Sequence, residues 1–290
     1  MTTAVVLSWN GREDTLACLG SLAGEPLTPL VVDNGSTDGS ADAVAVTFPD
    51  VDLVRLDRNH GFAGGMNVGI RRALERGADQ VLTLNNDVLV EPGFLAPLLE
   101  ALAPDVASVS PQLLFADESE RVWYAGAPYD PRRGHQGRNT GYGGPPLPPG
   151  PAFDTPRACG GALLAPREAW ERVGLFDEAL FAYWEDAEWS FRAHRLGLRT
   201  LVAPSSRVRH RVSASTGGAS SPSSIYYSLR NGILVAEREL PLGPVGTWRR
   251  RIEAVGAHAA QALLSSRRRA GLSAVAAATF DALRGRVGPR

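Results

Sequence analysis

Lysine is missing altogether: all thirty basic side chains among the 290 residues are arginine. That removes the phosphate-binding loop G-x-x-x-x-G-K-[ST], which needs a lysine. We read the bias as genomic base composition rather than mechanism. Cysteine is scarce. Cys18 and Cys159 stand alone and in no metal-ligand spacing, which rules out a disulfide framework and fits a reducing compartment. No apolar run approaches the roughly 18–20 residues that cross a bilayer. The chain runs straight into Ala4-Val5-Val6-Leu7 with neither a charged leader nor a cleavage pattern. A cytoplasmic location is therefore expected, with the inner face of the membrane as its variant. Excess charge of one sign is lacking as well. A net charge of -1 offers no general attraction to nucleic acid, and none is expected as a partner. Gly61-Phe62-Ala63-Gly64-Gly65 is not G-x-G-x-x-G and does not follow the first strand. Neither G-x-S-x-G nor H-E-x-x-H occurs, so a dinucleotide fold, a hydrolase elbow and a helical zinc site lose support.

What remains is ordinary for a globular protein, 44% hydrophobic and 21% charged. The length suits one large domain, alone or with an extension. Ala4–Leu7, Leu30–Val32, Leu53–Leu56 and Val81–Leu84 are short continuous apolar runs, as in strands buried on both faces. Residues 12–23, 40–47 and 92–102 read as helices between and after them. The glycine-rich stretch Asn59–Asn67 reads as a loop leading into a helix that ends near Gly77. This alternation predicts an α/β fold, a mostly parallel sheet flanked by helices. Ligands of such sheets sit beyond the carboxyl ends of the strands. There the chain places Asn10, Asp33, Asn59 and Asp87.

After Ser108 the pattern becomes irregular. Residues 109–115, 121–125 and 162–165 read as strands, 166–173 and 187–196 as helices, and Thr200–Val202 as the last core strand. Residues 131–156, rich in Gly, Pro and Arg, read as a long and mobile surface loop. Residues 213–224 read as a further loop and 224–239 as a helix. Trp184-Glu185-Asp186-Ala187-Glu188-Trp189 then sets three carboxylates between two tryptophans. Carboxylates crowded beside apolar rings are costly to keep charged, so they need a partner or a task. Glu188 can pair with Arg192 at i,i+4 on a helix, which leaves Asp186 free at the helix start. An acidic helix N-terminus stabilised by the macrodipole is the plain alternative.

Five stretches, in order, resemble the inverting glycosyltransferases of family 2. They are Val5–Asn10, Val31–Ser40, Asn59–Gly69, Leu84–Asp87, and Gly174–Glu178 through Trp184-Glu185-Asp186. Together they cover roughly residues 4–215, and the wording is nearest the rhamnosyl- and galactofuranosyl-transferase branch. The resemblance implies a GT-A type, Rossmann-like sheet with a C-terminal helical extension. Residues 1–240 would be the catalytic domain, with 1–105 binding the nucleotide sugar and 106–240 the acceptor. It implies transfer of a sugar from a nucleotide-diphosphate sugar, a dTDP- or UDP-sugar, to an acceptor hydroxyl by single displacement. The setting would be cell-envelope polysaccharide or natural-product glycosylation, and the acceptor a glycan, a lipid-linked sugar or a small molecule.

The resemblance also distributes roles. Ser8, Asn10, Asp33, Asn34, Ser36, Asn59, Gly61, Phe62, Gly65, Asn67, Asn85 and Asn86 would form the donor site. Its glycines would let backbone approach the nucleotide, with a packing turn as the alternative. The leaving diphosphate calls for a divalent cation with hard oxygen ligands, Mn2+ or Mg2+. Asp87 would ligate it, although Asn85-Asn86-Asp87 offers one carboxylate where the family usually shows two. His210, placed just beyond the last core strand, would be the second ligand; otherwise it is a surface histidine. His60 and His194 are left structural. Asp186 would be the general base and Glu185 its auxiliary, a choice between neighbours that leans on the resemblance. Trp184, Trp189, Cys159, Gly160 and Gly161 would meet the acceptor, with core packing the alternative for the two tryptophans. A catalytically idle sugar-nucleotide-binding scaffold is the competing reading, motivated by the single acid. A nucleotidyltransferase would need a basic loop after the first strand, where only Arg12 stands.

Residues 241–290 carry nine arginines against Glu253 and Asp281. They read as two basic amphipathic helices that pack on the catalytic domain or a second subunit as a homodimer, or else lie on an anionic membrane surface.

Overall fold

The computed structural model describes residues 1–117, 119–128, 139–211 and 220–290. Its first half follows the apolar runs. Strands β1 (Thr2–Ser8), β2 (Thr28–Asp33), β3 (Asp52–Arg55) and β4 (Gln80–Asn85) alternate with helices α1 (Arg12–Ser21), α2 (Ser40–Thr47) and α3 (Gly61–Glu75). All four strands are parallel, in the order β3-β2-β1-β4. β1 is buried along its whole length, as a strand covered on both faces must be.

The glycine-rich stretch differs from expectation: it is helical from Gly61 onward. The reason is packing. A Cβ on Gly65 would lie 2.7 Å from a Leu7 methyl, and one on Gly69 would lie 2.2 Å from Val5 Cγ1. These glycines sit four apart on one helix face and let α3 lie directly on β1 and β2. Close packing of α3 outweighs the helix cost of glycine, about 1 kcal/mol each.

The second half is mixed. β5 (Val88–Val90) and α4 (Leu95–Glu100) precede the long β6 (Val106–Phe115) and short β7 (Val122–Tyr124). After them come β8 (Phe153–Asp154), β9 (Ala162–Pro166), α5 (Arg167–Val173), α6 (Glu185–Arg195) and β10 (Arg199–His210). β9 inserts antiparallel between β4 and β6, and β10 runs parallel to β6, so the sheet reads β3-β2-β1-β4-β9-β6-β10-β5. Residues 131–138 of the expected long loop lie outside the described residues, as do 213–219 of the second loop. Two apolar layers sandwich the sheet. One holds Leu82, Leu95 and Val202, the other Val5, Met66, Trp170 and Trp189.

Helices α7 (Pro222–Glu239), α8 (Pro244–Leu264) and α9 (Arg268–Leu283) close the chain. They form their own apolar cluster around Ile225, Tyr226, Ala262 and Ala278. Arg251 forms a paired-bond ion pair with Glu237 of α7, at 2.6 and 2.7 Å. The two tail helices therefore pack on α7. No helix among the described residues is long and apolar enough to cross a membrane.

Candidate active site

A cavity of about 430 Å3 opens at the carboxyl ends of the parallel strands. Its floor is Asn85, the last residue of β4, with Asn86 and Asp87 directly after it. Asn34 and Asn59 come from the ends of β2 and of the β3–α3 loop; Gly61 and Phe62 start α3. Cys159, Gly160 and Gly161 enter just before β9, Glu185 and Asp186 at the start of α6, and His210 at the end of β10. Residues more than 170 positions apart thus converge because the sheet ends there.

The asparagines build one side of the cavity. Asn34 Nδ2 donates to Gly61 O at 2.9 Å and to Asn59 Oδ1 at 3.2 Å, and Asn34 Oδ1 accepts from His60 N–H at 2.9 Å. Asn86 Nδ2 donates to Thr15 Oγ1 at 3.0 Å. Asn85 Oδ1 is buried without a hydrogen-bond partner among the described residues, which leaves an acceptor in the cavity wall. Other residues expected in the donor site stand behind this wall. Ser8 Oγ shares a 2.8 Å hydrogen bond with Thr15. Asn67 Nδ2 and Oδ1 clamp Phe176 O and N at 2.9 and 3.0 Å. Asn10 accepts from Thr37 N–H at 2.8 Å, Ser36 Oγ accepts from Asn10 N–H at 3.0 Å, and Asp33 Oδ2 accepts from Ser36 N–H at 3.2 Å. None of these lines the cavity, and Gly65 faces Leu7 and Asn34 rather than open space. They brace the loops that present Asn34 and Asn59.

Asp87 and His210 meet. Imidazole Nε2 lies 3.1 Å from Asp87 Oδ1, with both side chains almost fully buried. Register explains it: β5 pairs antiparallel with β10, setting His210 opposite Val88. His210 is thus the last residue of a twelve-residue strand, not a residue beyond one. The strand continues past Val202 through a register shift between Ala203 and Arg207, which conceals it from pattern reading. Neither ring nitrogen of His210 has a hydrogen-bond partner among the described residues. Trp123 stands edge-on to the ring at 4.6 Å. No group of three or more metal-ligating side chains occurs among the described residues. The donor set here is one carboxylate and one imidazole, suited to a divalent cation that completes its shell elsewhere.

The acidic turn separates its members. Helix α6 begins two residues earlier than expected, with Trp184 at its N-cap in a left-handed conformation, φ 76°. Asp186 is half-buried, lines the cavity and accepts from Gly160 N–H through Oδ2 at 3.0 Å. Glu185 is buried, and Oε2 lacks a hydrogen-bond partner among the described residues. Burial first, then the adjacent Asp186 charge, pushes its pKa up to about 8. Glu188 points away, as expected, and accepts from Arg192 Nε and Nη2 at 2.8 and 2.9 Å.

Trp184 and Trp189 take the packing alternative and do not line the cavity. Trp189 is fully buried against Trp170 and donates its indole N–H to Gly174 O at 2.7 Å. Trp184 packs against Gly232 of α7. Beside Phe62, the aromatic lining is made instead by Trp9, Trp123, Phe181, Tyr183 and Tyr227, which sequence reading missed. Strand alternation in Val122-Trp123-Tyr124 was the available signal for Trp123. Phe181, with φ 66°, and Tyr183, with φ 67°, hold backbone conformations that nothing in their residue types announces. His60 pairs with Asp57 and His194 with Thr200, both as structural residues.

The model for "Glycosyl transferase family 2" matches residues 3–159. An N-acetylglucosaminyl-diphospho-decaprenol L-rhamnosyltransferase of Mycobacterium tuberculosis is 30% identical over 227 residues, which is 71% of this chain and 73% of that protein. A dTDP-rhamnosyl transferase of Shigella flexneri is 25% identical over 248 residues, 82% of this chain and 81% of its own. Among solved structures, GalNAc-T7 with UDP, GalNAc and Mn2+ superposes with a TM-score of 0.64 at 19% identity. That match covers 82% of this chain and 47% of GalNAc-T7, so this chain spans about half its length.

Proposed function

Because the chain belongs to glycosyl transferase family 2, in its rhamnosyltransferase-like branch, and is a glycosyltransferase of GT-A fold using nucleotide-sugar donors, we propose that it inverts the sugar it transfers. The donor is a dTDP- or UDP-sugar and the acceptor a hydroxyl of a glycan, lipid-linked sugar or small molecule. The observation that carries this reading is the placement of Asp186 in the same cavity as Asp87 and His210. A single displacement needs a proton acceptor on the acceptor side and charge neutralisation on the diphosphate side.

Asp186 is the general base. Its Oδ2 is oriented by Gly160 N–H at 3.0 Å. Glu185, protonated at neutral pH by its raised pKa, is not a competing base; it limits the negative charge beside Asp186. Asn34, Asn59 and Asn85 bind the nucleotide sugar. Asp87 and His210 would hold Mn2+ or Mg2+, which neutralises the leaving diphosphate. The described cavity wall supports the need: it holds the carboxyl groups of Asp87, Glu185 and Asp186, and no guanidinium. Trp123, Tyr183 and Tyr227 form the acceptor face, where apolar rings pack on sugar C–H groups. On α8, Val245, Trp248 and Ile252 are exposed, and Arg249 beside them is exposed as well. That face would rest on anionic lipid, bringing the cavity to a lipid-linked acceptor in envelope assembly.

Two measurements test the reading. Asp186→Asn should lower kcat by about 1000-fold while calorimetry still detects donor binding; full transfer by that variant would sink it. His210→Ala should weaken Mn2+ binding in the presence of UDP or dTDP by at least about tenfold.

A further inference from the structure

Building on the assignment of Asp186 as base, we propose that Arg230 and Asn231 are positioning residues: they hold a strained turn, Leu180–Trp184, in the shape that delivers Asp186 to the cavity. The turn has three residues at positive φ, namely Phe181 at 66°, Tyr183 at 67° and Trp184 at 76°. All three are aromatic, and no glycine relieves them. Left-handed backbone at bulky residues persists only where the surroundings over-determine it. Phe181 itself is the centre of a γ-turn, closed by Ala182 N–H donating to Leu180 O at 2.8 Å.

The surroundings that fix it come from α7. Asn231 Nδ2 donates to three carbonyls of the turn, Leu180 and Ala182 at 2.8 Å and Tyr183 at 2.9 Å. Arg230 Nη2 donates to Leu180 O at 3.2 Å. Arg230 Nε donates to Asn231 Oδ1 at 2.9 Å, so the amide presents its N–H groups, not its oxygen, to the carbonyls. Both side chains are buried, at 1% and 0% exposure. The next residue, Gly232, leaves room for Trp184: a Cβ there would lie 2.9 Å from the indole. Three consecutive residues of α7 therefore meet the turn, and Arg230 Nη1 also donates to Gly288 O at 2.6 Å. On the other side Ala63 N–H donates to Phe181 O at 3.2 Å, tying the turn to α3 at the donor wall.

The turn aims the base. Trp184 is the N-cap of α6, its carbonyl accepts from Glu188 N–H at 2.9 Å, and Glu185 and Asp186 are the first two helical residues. Relaxing any of the three residues to negative φ would rotate the helix start and draw Asp186 away from Gly160. A catalytic group displaced by about 1 Å loses about 100-fold in rate.

A purely structural clamp would lower stability and leave the turnover of folded molecules alone. Asn231→Leu removes the donors and keeps the branching at Cγ, with added bulk. Gly232→Ala pushes on Trp184 while raising the helix propensity of α7. We expect each to lower kcat per folded molecule about 100-fold, to leave donor KM within about threefold, and to speed amide exchange at residues 181–187. A kcat within about threefold of the parent, or exchange unchanged at 181–187, overturns the proposal. If Asn231→Leu does not fold, Gly232→Ala decides. Asp186→Asn runs alongside. Full transfer by Asp186→Asn defeats the base assignment, and the exchange data then still decide whether the clamp exists.

Discussion

Replacing Glu185 by glutamine separates the two adjacent acids by their protons. Glu185 is buried, and burial followed by the Asp186 charge raises its pKa from 4.5 to about 8, while Arg157 opposes the shift. The folded protein therefore holds a proton that the unfolded chain releases above about pH 4.5. Between pH 4.5 and 8 the native state binds more protons, so stability falls as pH rises, by about 1.4 kcal/mol per pH unit at the steepest. The stabilisation is fully present below pH 4.5 and is lost as pH climbs through 8. Across the window it amounts to something on the order of 4 kcal/mol. Glutamine mimics the protonated acid and does not titrate. In urea unfolding at half-unit pH steps, the variant should lose most of this slope and exceed the parent in stability above pH 8. Turnover should fall by no more than about tenfold, against about 1000-fold for Asp186→Asn. A parent and variant with parallel stability–pH curves would refute the reasoning, as would a Glu185→Gln enzyme as slow as Asp186→Asn.

Glu188→Gln leaves the guanidinium of Arg192 without its buried carboxylate, while Arg238, 3.0 Å from Glu188, keeps Asp177 and Glu239. This should cost about 3 kcal/mol, a fall in Tm of about 6 °C by calorimetry, with donor KM unmoved. Gly69→Ala forces a methyl 2.2 Å from Val5 Cγ1 and 2.9 Å from Val32 Cγ2, and urea titration should show a loss of about 1–3 kcal/mol.

The four parallel strands were legible because each holds a short apolar run; the cores of β1, β2 and β4 are buried, while β3 at the sheet edge is only half-buried. Their carboxyl ends were legible too: of the four polar residues the pattern places there, Asn59 and Asp87 line the cavity, while Asn10 and Asp33 stand behind it. What escaped had contrary or absent local signals. The glycines of α3 read as loop because their reason for being there is β1 and β2, not the helix. The continuation of β10 to His210 escaped because the register shift after Ala203 breaks the alternation. Trp184 and Trp189 looked like sugar platforms because residue type does not say which way a ring faces; α6 turns both into the interior. Arg230-Asn231 gains a contact set only once α7 lies over the turn at Leu180–Trp184.

The insertion of β9 has a consequence for how the molecule can assemble. β4 and β9 are neighbours in space, but some eighty residues separate Leu82 from its partner Leu164. Until that later segment is in place, Val81-Leu82-Thr83-Leu84 presents an open, apolar strand edge of the kind that recruits other chains. A polypeptide stopped at residue 159, where the family match ends, would keep that edge bare and should aggregate. Gly161 O, just ahead of β9, accepts from Asn85 N–H at 3.1 Å, and Gly160 N–H reaches Asp186. The same late segment that seals the sheet therefore links Asn85 and Asp186 across the cavity. A chain not yet sealed is also one that cannot yet transfer sugar.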